Sequence, residues 1–140
     1  MPQTAIQSLA VGDVMHRGVI NAPPQATVTE LALQMAESRV HCVVVEGLAR
    51  RSDLQEELVW GIVSDLDLMK ALAAGRVELS AGEIAATEIV TVEDSDPVEQ
   101  AVELMAAHDC THLVVVATRT GEPVGVISSL DVAAALARAA

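Results

Sequence analysis

Phenylalanine and tyrosine do not occur in this sequence and Trp60 is its only tryptophan, so the core has to be assembled from Val, Leu, Ile, Ala and Met. Basic residues are scarce as well. Eight Lys and Arg face 20 Asp and Glu, for a formal net charge of -12. That balance excludes nucleic acid as an expected partner, because such binding works by neutralising phosphates with Lys and Arg. It equally disfavours an anionic membrane surface. No stretch approaches the roughly 18 consecutive apolar residues of a membrane span. Met1 to Ala10 lacks the basic start and long apolar run of a targeting signal. Two cysteines, Cys42 and Cys110, do not make a disulfide framework. A cytoplasmic protein with no membrane or nucleic-acid partner is the expectation. What the chain does have is aliphatic: a hydrophobic fraction of 51% over 140 residues argues against disorder and suits one compact domain or two small repeats sharing a core.

The repeats are visible. Gly61-Ile62-Val63-Ser64-Asp65-Leu66-Asp67-Leu68 returns 64 positions later as Gly125-Val126-Ile127-Ser128-Ser129-Leu130-Asp131-Val132. Upstream, Val11-Gly12-Asp13-Val14-Met15 answers Ala81-Gly82-Glu83-Ile84-Ala85 at an offset of 70, as do Met35 and Met105, and Val43-Val44-Val45 and Leu113-Val114-Val115. The change of offset places six extra residues between Val45 and Gly61. The expected division is therefore a first repeat over residues 8–75, with a longer polar loop near 46–58, and a second over residues 79–139.

Each repeat reads as helix, strand, helix, strand, strand, helix, which is α/β or α+β in character. A short helix or turn carries Asp13-Val14-Met15 or Glu83-Ile84-Ala85, followed by an extended piece at Val19-Ile20 or Ile89 to Val92. Val28, Leu31, Ala32 and Met35 recur at helical spacing over Thr27 to Ser38, with Thr27 or Thr29 as the cap. Val98, Ala101, Val102 and Met105 do the same over Pro97 to His108, where Asp96-Pro97 reads as an N-cap and a first-turn proline. Val43-Val44-Val45 and Leu113 to Val116 are continuous apolar runs, as expected of strands buried on both faces. Closing helices are expected over Asp65 to Ala74, stopped at Gly75, and over Ser129 to about Ala139. Met15, Met35, Met69 and Met105 read as core.

Each closing motif is a strand end turning into a helix, since Ile/Val pairs favour strands and Ser is a good N-cap. A helix N-terminus carries unpaired N–H groups and the positive end of the dipole, so it attracts phosphate. Ser-x-x-Asp is equally the pattern of a capping box, and the two roles coexist until a ligand displaces the reciprocal bond.

The paired motifs resemble the CBS domain family, named after cystathionine β-synthase. The likeness runs from about Val11 to Ala137 and also rests on the opening Val11 to Met15, on Leu104-Met105 at a helix end and on His112 to Val116. It implies two βαββα-type repeats packed as a pseudo-twofold pair, commonly forming a homodimer. The clefts between such repeats often hold adenosine-containing ligands: AMP, ADP, ATP, S-adenosylmethionine or dinucleotides. By this resemblance Asp67 and Asp131 accept hydrogen bonds from ribose hydroxyls, as an acidic residue does in dinucleotide-binding folds, and Ser64 and Ser128 line the cleft beside them. Base contacts map to Ile20, Asn21, Val90 and Thr91. Phosphate contacts map to His41 and Cys42 in one repeat and to Thr111 and His112 in the other. The better nucleotide binders of the family tend to carry Arg there. His112 is a weaker phosphate ligand, strongest when protonated, and Cys42 is a poor one. The cleft joining Asp67 with His112 is therefore favoured over the one joining Asp131 with His41.

Other chemistry finds less support. His108, Cys110 and His112 alternate, but no paired CxxC or HxxxH spacing backs a metal site, and Cys110 aligns with the apolar Val40. No P-loop, nucleophile elbow or oriented acid/base pair is present, so a binding module that requires no cofactor is expected rather than an enzyme. Two functions remain open. One is a stand-alone regulatory module that senses an adenosyl ligand and signals to a partner protein or through its own dimer. The other is a constitutive homodimeric scaffold whose clefts stay empty.

Overall fold

Each valine run becomes an inner strand of its own sheet. The computed structural model describes residues 8–52, 55–87 and 89–139. The elements run α1 (Val11–Val14), β1 (His16–Arg17), β2 (Asn21–Ala22), α2 (Val28–Ser38), β3 (Cys42–Ser52), β4 (Gln55–Ser64) and α3 (Asp65–Ala73). They continue with α4 (Ala81–Ile84), β5 (Thr91–Glu93), α5 (Val98–His108), β6 (His112–Val116), β7 (Pro123–Ser128) and α6 (Ser129–Ala139). The chain is mixed α/β and divides into two compact units. One is Ile20–Ile89; the other joins Met1–Val19 to Val90–Ala140.

In the Ile20–Ile89 unit the sheet order is β2-β3-β4, with β2 parallel and β4 antiparallel to β3. Val43, Val45 and Val63 point to one face and pack with Val28, Leu31 and Met35 of α2 and Leu68 of α3. Val44 and Ile62, which alternate to the other face, are buried too. The continuous apolar run thus reports burial on both faces. In the second unit the order is β1-β7-β6-β5, and Val92, Ala101, Met105, Leu113, Val115 and Ile127 form the core with Val11 and Met15.

The compact units are offset from the sequence repeats, because the two opening helices are exchanged. In α1 the Val11 and Gly12 N–H groups donate to the carbonyls of Asp96 and Asp94 at 2.8 and 2.9 Å. In α4 the Ala81 and Gly82 N–H groups donate to Ala26 and Pro24 at 2.8 and 2.7 Å. Each opening helix therefore caps the body built by the other repeat. The same exchange explains the glycine of the closing motif. His16 pairs antiparallel with Val126, and Ala86 forms the matching bridge to Ile62. A Cβ on Gly125 would collide with the His16 carbonyl, and one on Gly61 would lie 2.8 Å from the Ala86 carbonyl.

Several local expectations are corrected. The first extended piece is β2 at Asn21–Ala22, directly after Val19-Ile20, and His16–Arg17 forms a strand of its own. The segment near 46–58 is not a loop over most of its length: β3 and β4 continue as an antiparallel ribbon, with Arg50 opposite Glu57 and Arg51 opposite Glu56 in register. Residues 53 and 54 of that segment lie outside the described residues. Pro97, not Asp96, is the N-cap of α5; the Asp96 carboxylate accepts the Glu93 N–H at 2.9 Å and tightens the preceding turn instead. Met69 is 54% exposed, because Leu68 and Ala71 occupy the buried face of α3. Thr27 is the cap of α2, its hydroxyl oxygen accepting the Glu30 N–H at 3.1 Å. Gly75 stops α3 at φ 71, where its N–H donates to Leu72 and that of Arg76 to Ala71, the paired bonds of a Schellman motif.

Candidate functional site

The apolar ends of β4 and β7 hold the backbone rigid up to the serine, and the chain then turns directly into α3 and α6. At the first turn, the Ser64 N–H donates to Asp67 Oδ2 at 2.8 Å and the Asp67 N–H donates to Ser64 Oγ at 3.1 Å. At the second, the Ser128 N–H donates to Asp131 Oδ2 at 2.9 Å and the Asp131 N–H to Ser128 Oγ at 3.1 Å. Both motifs are therefore reciprocal capping boxes. Each holds a carboxylate over a helix N-terminus with one oxygen engaged in the cap. All four residues are partly buried.

Strand register gathers the other candidates around these starts, each within its own unit. Cys42 lies opposite Ser64, and the Asp65 N–H donates to the His41 carbonyl at 2.8 Å. Asn21 pairs with Val44 on the parallel strand, and the Ile20 carbonyl accepts the Val44 N–H at 2.8 Å. Ile20, Asn21, His41, Ser64 and Asp67 thus share one end of the three-stranded sheet. In the other unit His112 lies opposite Ser128, the Ser129 N–H donates to the Thr111 carbonyl at 2.8 Å, and Thr91 pairs with Val114 directly after Val90. Val90, Thr91, Thr111, His112, Ser128 and Asp131 share the equivalent sheet end. Asp67 and His112 belong to different units, as do Asp131 and His41.

The side chains expected to meet phosphate already have partners. His41 Nδ1 stands 2.9 Å from Asp65 Oδ2, and His112 Nδ1 stands 2.9 Å from Thr111 Oγ1. Burial, reinforced by the Asp65 carboxylate, pushes the Cys42 thiol up to about 11, so it stays neutral and offers an anion nothing. Among the described residues, no group of three His, Cys, Asp or Glu side chains is placed to hold a metal ion. No helix among them is long and apolar enough to cross a membrane.

Two contributors escaped the sequence reading. Asp65, at the first position of α3, pairs with His41. His16 reaches Asp131 across a sequence separation of 115, its Nδ1 lying 3.0 Å from Asp131 Oδ1 and 3.1 Å from Oδ2. Neither follows from local spacing. Only the β1–β7 pairing, made by the exchanged opening segment, brings His16 there.

Comparison with known proteins fits this geometry. The sequence model of the CBS domain family matches residues 11–74 and 81–138. An uncharacterized protein of Methanopyrus kandleri is 28% identical over 130 residues, which cover 91% of this chain; the chain spans 62% of the length of that curated relative. The CBS domain protein PAE2072 from Pyrobaculum aerophilum, solved in complex with AMP, is 31% identical with a TM-score of 0.71, covering 93% of this chain and 99% of that one. The CBS domain pair of protein MJ0100, solved with 5′-methylthioadenosine and S-adenosyl-L-methionine, shares the fold with a TM-score of 0.75 at 22% identity, over 93% of this chain and 97% of that one. With both repeats matched and both Ser-x-x-Asp helix starts in place, the chain belongs to the CBS domain family.

Proposed function

We propose that the chain is a regulatory CBS pair that binds an adenosine-containing ligand, with Asp67 and Asp131 as ribose anchors and Ser64 and Ser128 beside them. The observation that carries this reading is the capped carboxylate. Asp67 engages one oxygen in its capping box and, among the described residues, meets no other partner, so its second oxygen is ready to accept from a ribose hydroxyl. The family supports a regulatory rather than catalytic role, and the AMP complex of the Pyrobaculum aerophilum relative supports adenine nucleotides as the ligand class. Ile20, Asn21, Val90 and Thr91 serve the base, and His41, Thr111 and His112 serve the phosphate or its replacement. With His41 and His112 already paired, a ligand carrying little phosphate, such as AMP or S-adenosylmethionine, suits the site better than ATP or ADP. Binding shifts the chain between states of different affinity for a partner protein or a second copy.

The test is thermal unfolding with AMP, ADP, ATP, S-adenosylmethionine and 5′-methylthioadenosine, on wild type, Asp67→Ala and Asp131→Ala. Ligand at about 100 times its dissociation constant stabilises the fold by roughly 2.7 kcal/mol. A shift that disappears in an Asp→Ala variant upholds the reading. No shift with any ligand at millimolar concentration overturns it in favour of the homodimeric scaffold. That second reading draws on the outward apolar residues of the closing helices: Leu66 is 59% exposed, Met69 54% and Leu130 76%.

A further inference from the structure

The two carboxylates proposed as ribose anchors are not equivalent, and the difference comes from one side chain. Asp131 is held by the Ser128 N–H and also by the His16 imidazole, which spans both of its oxygens at 3.0 and 3.1 Å. Only 10% of the Asp131 side chain is left exposed. Asp67 has the same capping box and, among the described residues, no imidazole on its carboxylate. The equivalent of His16 is Ala86, fixed independently by the repeat offset and by the ladder: Ala86 bridges Ile62 just as His16 pairs with Val126. A methyl group stands where the other unit has a hydrogen-bonding ring.

We propose that His16 closes the Asp131 anchor: its imidazole takes the acceptor positions a ribose diol needs and has to swing aside before that carboxylate binds ligand, leaving Asp67 as the open anchor. The side chain is placed for this. It is 81% exposed and is held by its contact with Asp131. A hydrogen-bonded contact from an exposed imidazole is weak enough to be displaced by a ligand and strong enough to bias which anchor fills first. The closure acts on which of the two anchors fills first, and it rests on the ribose-anchor reading above.

The test is a mutant cycle read by calorimetric titration of AMP and of S-adenosylmethionine. In an Asp67→Ala background only the Asp131 anchor remains, and adding His16→Ala is expected to tighten binding about two- to fivefold, the range an exposed pair supports. In an Asp131→Ala background the same His16→Ala change is expected to leave affinity unaltered. An equal effect in both backgrounds, no effect in the first, or weaker binding in the first overturns the closure and leaves the anchors standing. If neither probe binds wild type or any variant, the ribose-anchor reading falls and the closure falls with it.

Discussion

The carbonyl oxygen of Ala86 stands 2.8 Å from the point a Cβ on Gly61 would occupy, and Leu48 Cδ1 is equally close. Ala86 is fixed there by two backbone bonds with Ile62, each 2.9 Å. The glycine of the first closing motif therefore leaves room for the bridge to Ala86. Gly61→Ala forces the bridge apart and is expected to cost about 1–3 kcal/mol, the usual penalty for overpacking a tight site. Urea denaturation checks it: the midpoint falls while the slope stays that of wild type.

Thr27 and Ser64 both accept a backbone N–H at 3.1 Å, but only Ser64 belongs to a proposed ligand site. Thr27→Ala and Ser64→Ala are each expected to lose about 1 kcal/mol of stability through the missing cap. They separate on ligand. The thermal shift with AMP survives intact in Thr27→Ala and shrinks in Ser64→Ala, as measured by the difference between melts with and without nucleotide.

Leu31 and Leu33 sit two residues apart on α2, one fully buried and one 56% exposed. Leu31→Ala empties a fully buried position in the core cluster that also holds Val43, Val45 and Val63 and is expected to cost about 2–5 kcal/mol. Leu33→Ala is expected to stay within about 0.5 kcal/mol of wild type. Chemical denaturation of the two variants at the same protein concentration measures the contrast.

The parts of this fold that were legible in the sequence are those whose signal is local. Of the helically spaced Val28, Leu31, Ala32 and Met35, all but the exposed Ala32 lie on the buried face of α2, and Ser-x-x-Asp names two helix starts because the reciprocal bonds span only three residues. On α3 the same reasoning fails for Met69: Leu66, Met69 and Leu72 make one apolar stripe and Leu68 and Ala71 another, and spacing does not say which is inside. The ribbon beyond Leu48 reads as a loop because its residues are charged, yet the backbone register continues through Arg50 opposite Glu57 and Arg51 opposite Glu56. The exchange of opening segments is illegible for a different reason. β1 has two residues, and its partner lies more than a hundred residues away. His16 is therefore invisible as a neighbour of Asp131 until the strand is placed, although Asp131 itself stands out from its motif.

Cys42 gives a pH test. Its thiol is raised from 9.0 to about 11, first by burial and then by the Asp65 carboxylate, so folding holds the proton more tightly than the unfolded chain does. A raised value means the stabilisation is complete below about pH 9, where the thiol is protonated in both states. It is lost as pH rises toward 11, because the unfolded chain ionises first. The stability difference between wild type and Cys42→Ala is therefore expected to move against wild type from pH 9 to 11 and to be flat from pH 6 to 8. Alkylation reads the same group directly. In a Cys110→Ser background at pH 8, iodoacetamide is expected to modify Cys42 roughly tenfold more slowly in the folded protein than in urea, since the loss of thiolate outweighs the greater nucleophilicity of a higher-pKa thiolate. Equal rates in the two conditions would show the thiolate forming freely in the fold, and the burial of Cys42 beside Asp65 would be wrong.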